Sequence, residues 1–133
     1  MKRFVIVTTV VFAGLAIIIC ASLIVFSRAL LSADAYPAFM ANYQSSKPQS
    51  YEEARRVFSD FVARTFPIGS DASDAIKRIT KGDFQVTTST SETVALVWDR
   101  HAGPCNEQYS ILISRDANGR IAKILGQLRP ICL

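Results

Sequence analysis

Gln108-Tyr-Ser-Ile-Leu-Ile-Ser-Arg-Asp-Ala-Asn-Gly-Arg-Ile-Ala-Lys-Ile-Leu125 decides how this chain folds. Tyr109, Ile111 and Ile113 recur at every second position, the period of a strand with one buried face. Asp116-Ala-Asn-Gly119 then turns the chain, because Asp and Asn tolerate turn backbones and Gly supplies the left-handed one. The segment Arg120 to Leu128 returns alongside. The pattern predicts an antiparallel hairpin.

Working outward from its open end, Cys105 precedes the first strand and Cys132 follows the second. A turn centred on Ala117-Asn118 sets opposite one another residues whose numbers sum to about 235, so Cys105 faces roughly position 130. Cys132 is within reach. A disulfide between Cys105 and Cys132 would close a loop of about 27 residues and contribute roughly 3.5 kcal/mol by chain entropy. Such a bridge requires an oxidising compartment.

Upstream, Phe84 and Val86 alternate with polar neighbours, Thr88-Ser-Thr-Ser91 marks a turn, and Val94, Leu96 and Trp98 alternate again. This predicts a second hairpin and a four-stranded antiparallel meander. Before it the period changes to three and four. Ser50-Tyr-Glu-Glu53 forms a capping box, in which the Ser50 hydroxyl accepts from the Glu53 amide. Ala54, Val57, Phe58, Phe61, Val62 and Thr65 form one apolar stripe, with Glu52, Arg55, Arg56, Ser59 and Asp60 largely facing away, and Phe66-Pro-Ile-Gly69 stops the helix. A second helix opens at Ser70 or Asp71 with Ala72, Ala75, Ile76 and Ile79 buried. Lys77, Arg78 and Lys81 load its last turn, and Gly82 is placed for a left-handed cap. The expected class is α+β, two helices packed on a four-stranded antiparallel sheet.

Phe4 to Phe26 is a run of 23 residues without a charge. As a helix it would rise about 35 Å, enough to cross a ~30 Å hydrocarbon core. This predicts an N-terminal transmembrane helix as part of the fold, with the membrane as a partner through residues 4–26. Lys2 and Arg3 before the run, against Arg28 after it, place the N-terminus in the cytoplasm. The expected organisation is a signal-anchor over 1–28, a juxtamembrane helix and linker over 29–50, and an extracytoplasmic domain over 51–133. Ser27 to Met40 would extend the first helix until Pro37, and Tyr43 to Ser50 would be the linker. The bacterial inner membrane, with the domain in the periplasm, is the matching location. A cleaved signal would instead secrete the domain, although the apolar run exceeds the usual 7–15 residues of such signals. Ile19 before Cys20 argues against a lipid-modified cysteine.

Charge bounds the function. Without Lys2 and Arg3, thirteen Lys and Arg oppose eleven Asp and Glu, and the basic clusters Arg55-Arg56 and Lys77-Arg78…Lys81 are interrupted by acids. That pattern excludes nucleic acid as an expected partner. Asp99, His101, Cys105 and Cys132 are the one set able to suggest a metal site or a Cys-His nucleophile. The spacing matches no zinc pattern, however, and His101 before Ala-Gly-Pro reads as a solvated loop residue. No phosphate loop or paired-carboxylate motif occurs, so neither catalysis nor a cofactor is expected.

From Phe66-Pro-Ile-Gly-Ser-Asp-Ala-Ser-Asp-Ala-Ile76 onward the chain resembles the SmpA/OmlA-type (BamE-like) small envelope proteins. The likeness rests on Gly69, Trp98, Tyr109-Ser-Ile-Leu-Ile113, Asp116-Ala-Asn-Gly119 and Arg120-Ile-Ala-Lys-Ile124, and covers about Phe66 to Gly126. It implies helices on an antiparallel sheet and a non-catalytic role in envelope assembly with a protein partner; that family's lipobox is missing here. A minor pilin shares the order of apolar helix, sheet and C-terminal disulfide loop. Its leader ends in Gly before a Phe or Met with an acid five residues into the helix, and Phe4 to Phe26 holds no acid. A small hydrolase is the enzymatic alternative. The expected function is a membrane-anchored extracytoplasmic binding or scaffolding module.

Overall fold

The computed structural model describes the backbone at residues 2–31, 33–43, 50–102 and 105–132, and side chains at 14–28, 33–43, 50–102 and 105–131. The expected linker falls largely on 44–49, outside the described residues. The chain divides into two units, Met1–Ser32 and Ala33–Leu133. The first is one helix, α1 (Lys2–Leu31). The second holds a short 3-10 turn (Ala38–Met40), helices α2 (Tyr51–Thr65) and α3 (Ala72–Thr80), and strands β1 (Gln85–Ser89), β2 (Thr93–Ala102), β3 (Cys105–Arg115) and β4 (Ile121–Cys132).

The transmembrane helix expected from the sequence is corrected. Among the described residues no helix is long and apolar enough to cross a membrane.

The α+β domain has its strands in the order β1-β2-β3-β4, each antiparallel to the next. Register lines up three rows of side chains on the inner face: Trp98, Tyr109, Leu128; then Leu96, Ile111, Gly126; then Val94, Ile113, Ile124. Helix α2 lays Ala54, Phe58, Phe61 and Val62 over these rows, and α3 adds Ala72, Ala75 and Ile79. Phe58 and Tyr109 meet edge to face with ring centroids 4.9 Å apart. Each such side chain contributes about 1.5–3 kcal/mol by leaving water.

The caps follow the sequence. Ser50 accepts from the Glu53 amide at 3.2 Å, and Asp71 from the Asp74 amide at 2.7 Å. Gly82 departs from expectation. The left-handed residue is Asp83, with φ 63°, whereas Gly82 is needed for space: an added Cβ would lie 2.7 Å from Pro37 Cβ.

That contact reveals the largest rearrangement of the sequence reading. Residues 33–43 are neither a continued helix nor a connection; they are a strap folded into the core, with Met40 fully buried and Tyr43 nearly so. Its first residues run along β2 beyond the end of short β1. Asp34 N–H donates to the His101 carbonyl at 2.8 Å, and the Asp34 carboxylate accepts from the His101 amide at 2.9 Å. The strap thereby satisfies backbone groups that β1 leaves open.

Candidate functional site

The sequence-derived set does not assemble as a catalytic or metal centre. Strand β2 runs through Ala102, so His101 is a strand residue paired with Asn106, and its Nδ1 lies 3.1 Å from Asn106 Oδ1. Asp99 accepts instead from Gln108 Nε2 at 3.0 Å. Among the described residues no group of three or more His, Cys, Asp or Glu side chains is placed to hold a metal. Cys105 is disulfide-bonded, which removes the thiolate a nucleophile would need, and Cys20 is free. The residue opposite Cys105 in the register is Cys132, two positions beyond the sequence estimate: the turn centres on Asn118, and a bulge between Ser114 and Arg115 adds one more. The Cys132 side chain lies outside the described residues.

Two polar constellations do form. The first lies where the strap meets β2 and β3. Arg100 Nη1 donates to Glu107 Oε2 at 2.9 Å, and the Tyr109 hydroxyl donates to the same oxygen at 2.8 Å. Arg100 also donates from Nε to the Asp34 carbonyl at 2.8 Å and stacks over the Tyr36 ring. The Tyr36 and Tyr109 hydroxyls share a 3.1 Å hydrogen bond. Burial first, then the hydrogen bonds to Tyr36 and Glu107, push Tyr109 far above the ordinary tyrosine range. Burial and the neighbouring Tyr36 push Tyr43 up to about 12. These tyrosines hold their protons, and Glu107 Oε2 accepts from both Arg100 and Tyr109, so the cluster locks the strap to the sheet. Sequence reasoning missed it. Tyr36, Phe39, Met40 and Tyr43, spaced three, four and seven apart, were the available signal.

The second constellation is open. A groove of about 590 Å³ runs between α2 and the outer strand β4, lined by Glu52, Arg55, Arg56, Ser59, Gly126 and Arg129 among others. The sequence placed Arg55 and Arg56 on the helix face away from the core, and the strand register brings Arg129 to them. Arg55 donates from Nε to the Leu128 carbonyl at 3.1 Å and lies 4.0 Å from Glu52. Arg56 and Arg129 hold no ion pair among the described residues. Three guanidiniums against one carboxylate leave the groove positive on a domain that is otherwise nearly neutral. Gly126 forms its floor, since an added Cβ would stand 2.9 Å from Val62 Cγ2.

No family model matches this chain, and no curated protein or solved structure matches it either.

Proposed function

We propose that the α+β domain is a protein-binding or scaffolding module and that the α2–β4 groove is its contact surface. The observation that carries this reading is the row of guanidiniums beside the outer strand, an open positive channel in which Arg56 and Arg129 have no internal counter-ion among the described residues. Catalysis is disfavoured by the chemistry of the alternative set: the disulfide takes Cys105, and Gln108 and Asn106 engage Asp99 and His101. The disulfide at Cys105 supports work in an oxidising, extracytoplasmic compartment. Envelope assembly, implied by the resemblance over residues 66–126, is the setting proposed for it.

The test is site-specific photo-crosslinking of the full chain in its own cells. A photoreactive residue at Arg56 or Gln127 should give a discrete protein adduct. The same residue at Val86, which is 47% exposed on β1 at the far edge of the sheet, should give none. Adducts from Val86 but not from the groove would defeat the proposal.

A further inference from the structure

Resting on the groove as a binding surface, we infer that its occupant is an extended acidic segment of a partner protein, which adds a strand to the free edge of β4. Strand β4 ends the sheet order. Its first residue is already paired outward: Gly69 N–H donates to the Ile121 carbonyl at 2.8 Å, and Ile121 N–H to the Ser70 carbonyl at 2.9 Å. Beyond that point the outward edge has no backbone partner among the described residues.

Parity shows which groups face out. The Leu128 carbonyl takes the Arg55 guanidinium, so it points away from β3. Residues of the same parity, Ile124, Gly126 and Pro130, share that direction, because antiparallel pairs alternate between bonded and open. Proline belongs where a strand has no bond to donate, and Pro130 sits at a position of this outward set. The edge thus offers amides at Ile124, Gly126 and Leu128 and open carbonyls at Ile124, Gly126 and Pro130, at the roughly 6.8 Å repeat of every second residue that a partner strand requires.

The groove selects the partner by charge. Adjacent side chains of an added strand point to opposite faces, so neighbouring carboxylates meet Arg56 on the α2 side and Arg129 on the other. Arg55 currently occupies the Leu128 carbonyl as a stand-in donor. An incoming amide takes that place and frees the guanidinium for a carboxylate. A folded nucleic acid would need a wider basic surface than these three residues on a nearly neutral domain.

The experiment measures fluorescence anisotropy of a short labelled peptide of Thr and Val carrying a central Glu-Glu pair, titrated with the full chain. Saturable binding is expected, weakened about tenfold or more by the double variant R56E/R129E and by raised salt. Methylating alternate peptide amides should abolish it, since a methylated nitrogen donates nothing to the edge. A Lys-Lys version should fail on the parent chain and recover on R56E/R129E, which shows that the variant is folded. Equal binding of the methylated peptide would overturn strand pairing. Equal binding of the Lys-Lys peptide or of a single-stranded oligonucleotide, or no binding of the acidic peptide at millimolar concentration, would overturn the acidic segment. Crosslinking at Arg56 and Gln127 would still decide separately whether the groove binds a protein.

Discussion

Gly126 has no side chain, and α2 lies where one would be. An added Cβ would press on Val62 Cγ2 at 2.9 Å and on the Phe58 ring at 3.2 Å, both in the middle of the helix–sheet contact. Gly126→Ala should therefore destabilise the domain by about 1–3 kcal/mol through overpacking, despite removing a flexible glycine from a strand. Chemical denaturation of the full chain checks this; an unchanged or raised midpoint would show that α2 has room to move. No feature of the sequence announced the requirement, because a glycine needed for space looks the same as one needed for its backbone angle. The same ambiguity misled the reading of Gly82.

Tyr43 gives a second expectation at this scale, with a definite sign. Its pKa rises from 10.0 to about 12 on folding, so the folded state holds the proton that the unfolded chain releases. Stability from this group is complete below pH 10 and declines between about 10 and 12, by roughly 2 kcal/mol, as the unfolded state ionises alone. Tyr109, raised further from the same 10.0, adds a loss that begins at the same pH and continues higher. Denaturant melts from neutral to strongly alkaline pH should show that slope, and Tyr43→Phe should make it less steep between about 10 and 12. A flat profile in the parent would mean that Tyr43 is solvated.

Among the elements, α2, α3 and the hairpin β3–β4 were legible because each carries a single clear period and a recognisable end. The stripe Ala54, Phe58, Phe61, Val62 faces inward as its spacing required, and Asp116–Gly119 turns where its residue types demand. The strap was not legible. Pro37 interrupts it, and helical spacing at Tyr36, Phe39, Met40 and Tyr43 looks like the tail of α1, yet only long-range pairing with β2 and β3 fixes it. Asp34→Ala removes the carboxylate that accepts the His101 amide, and should cost about 1 kcal/mol while speeding amide exchange at His101. Unchanged exchange there would detach the strap from the sheet edge.

For the whole molecule, the candidate site divided along the same line. Arg55 and Arg56 were visible as exposed helix residues, but their partner Arg129 lies 73 positions beyond Arg56 and reaches them only through the meander. Bringing that strand alongside α2 is the work of the β3–β4 register, and the register also places Cys105 opposite Cys132. We propose that these two cysteines form the bridge. Cys132→Ser should then cost roughly 3.5 kcal/mol, a large share of the stability of a domain this size. A melting temperature unchanged by this substitution, or by reduction, would remove the bridge from the account.

Function in the groove, and not at the β2–β3 end, is tested most directly by one comparison. In cells lacking the native chain, His101→Ala and R56E/R129E are each supplied at equal abundance and scored for restoration of the missing phenotype. The account expects His101→Ala to restore it fully and R56E/R129E, with its fold intact by circular dichroism, to fail. Restoration by R56E/R129E together with failure of a stably folded His101→Ala would contradict the account.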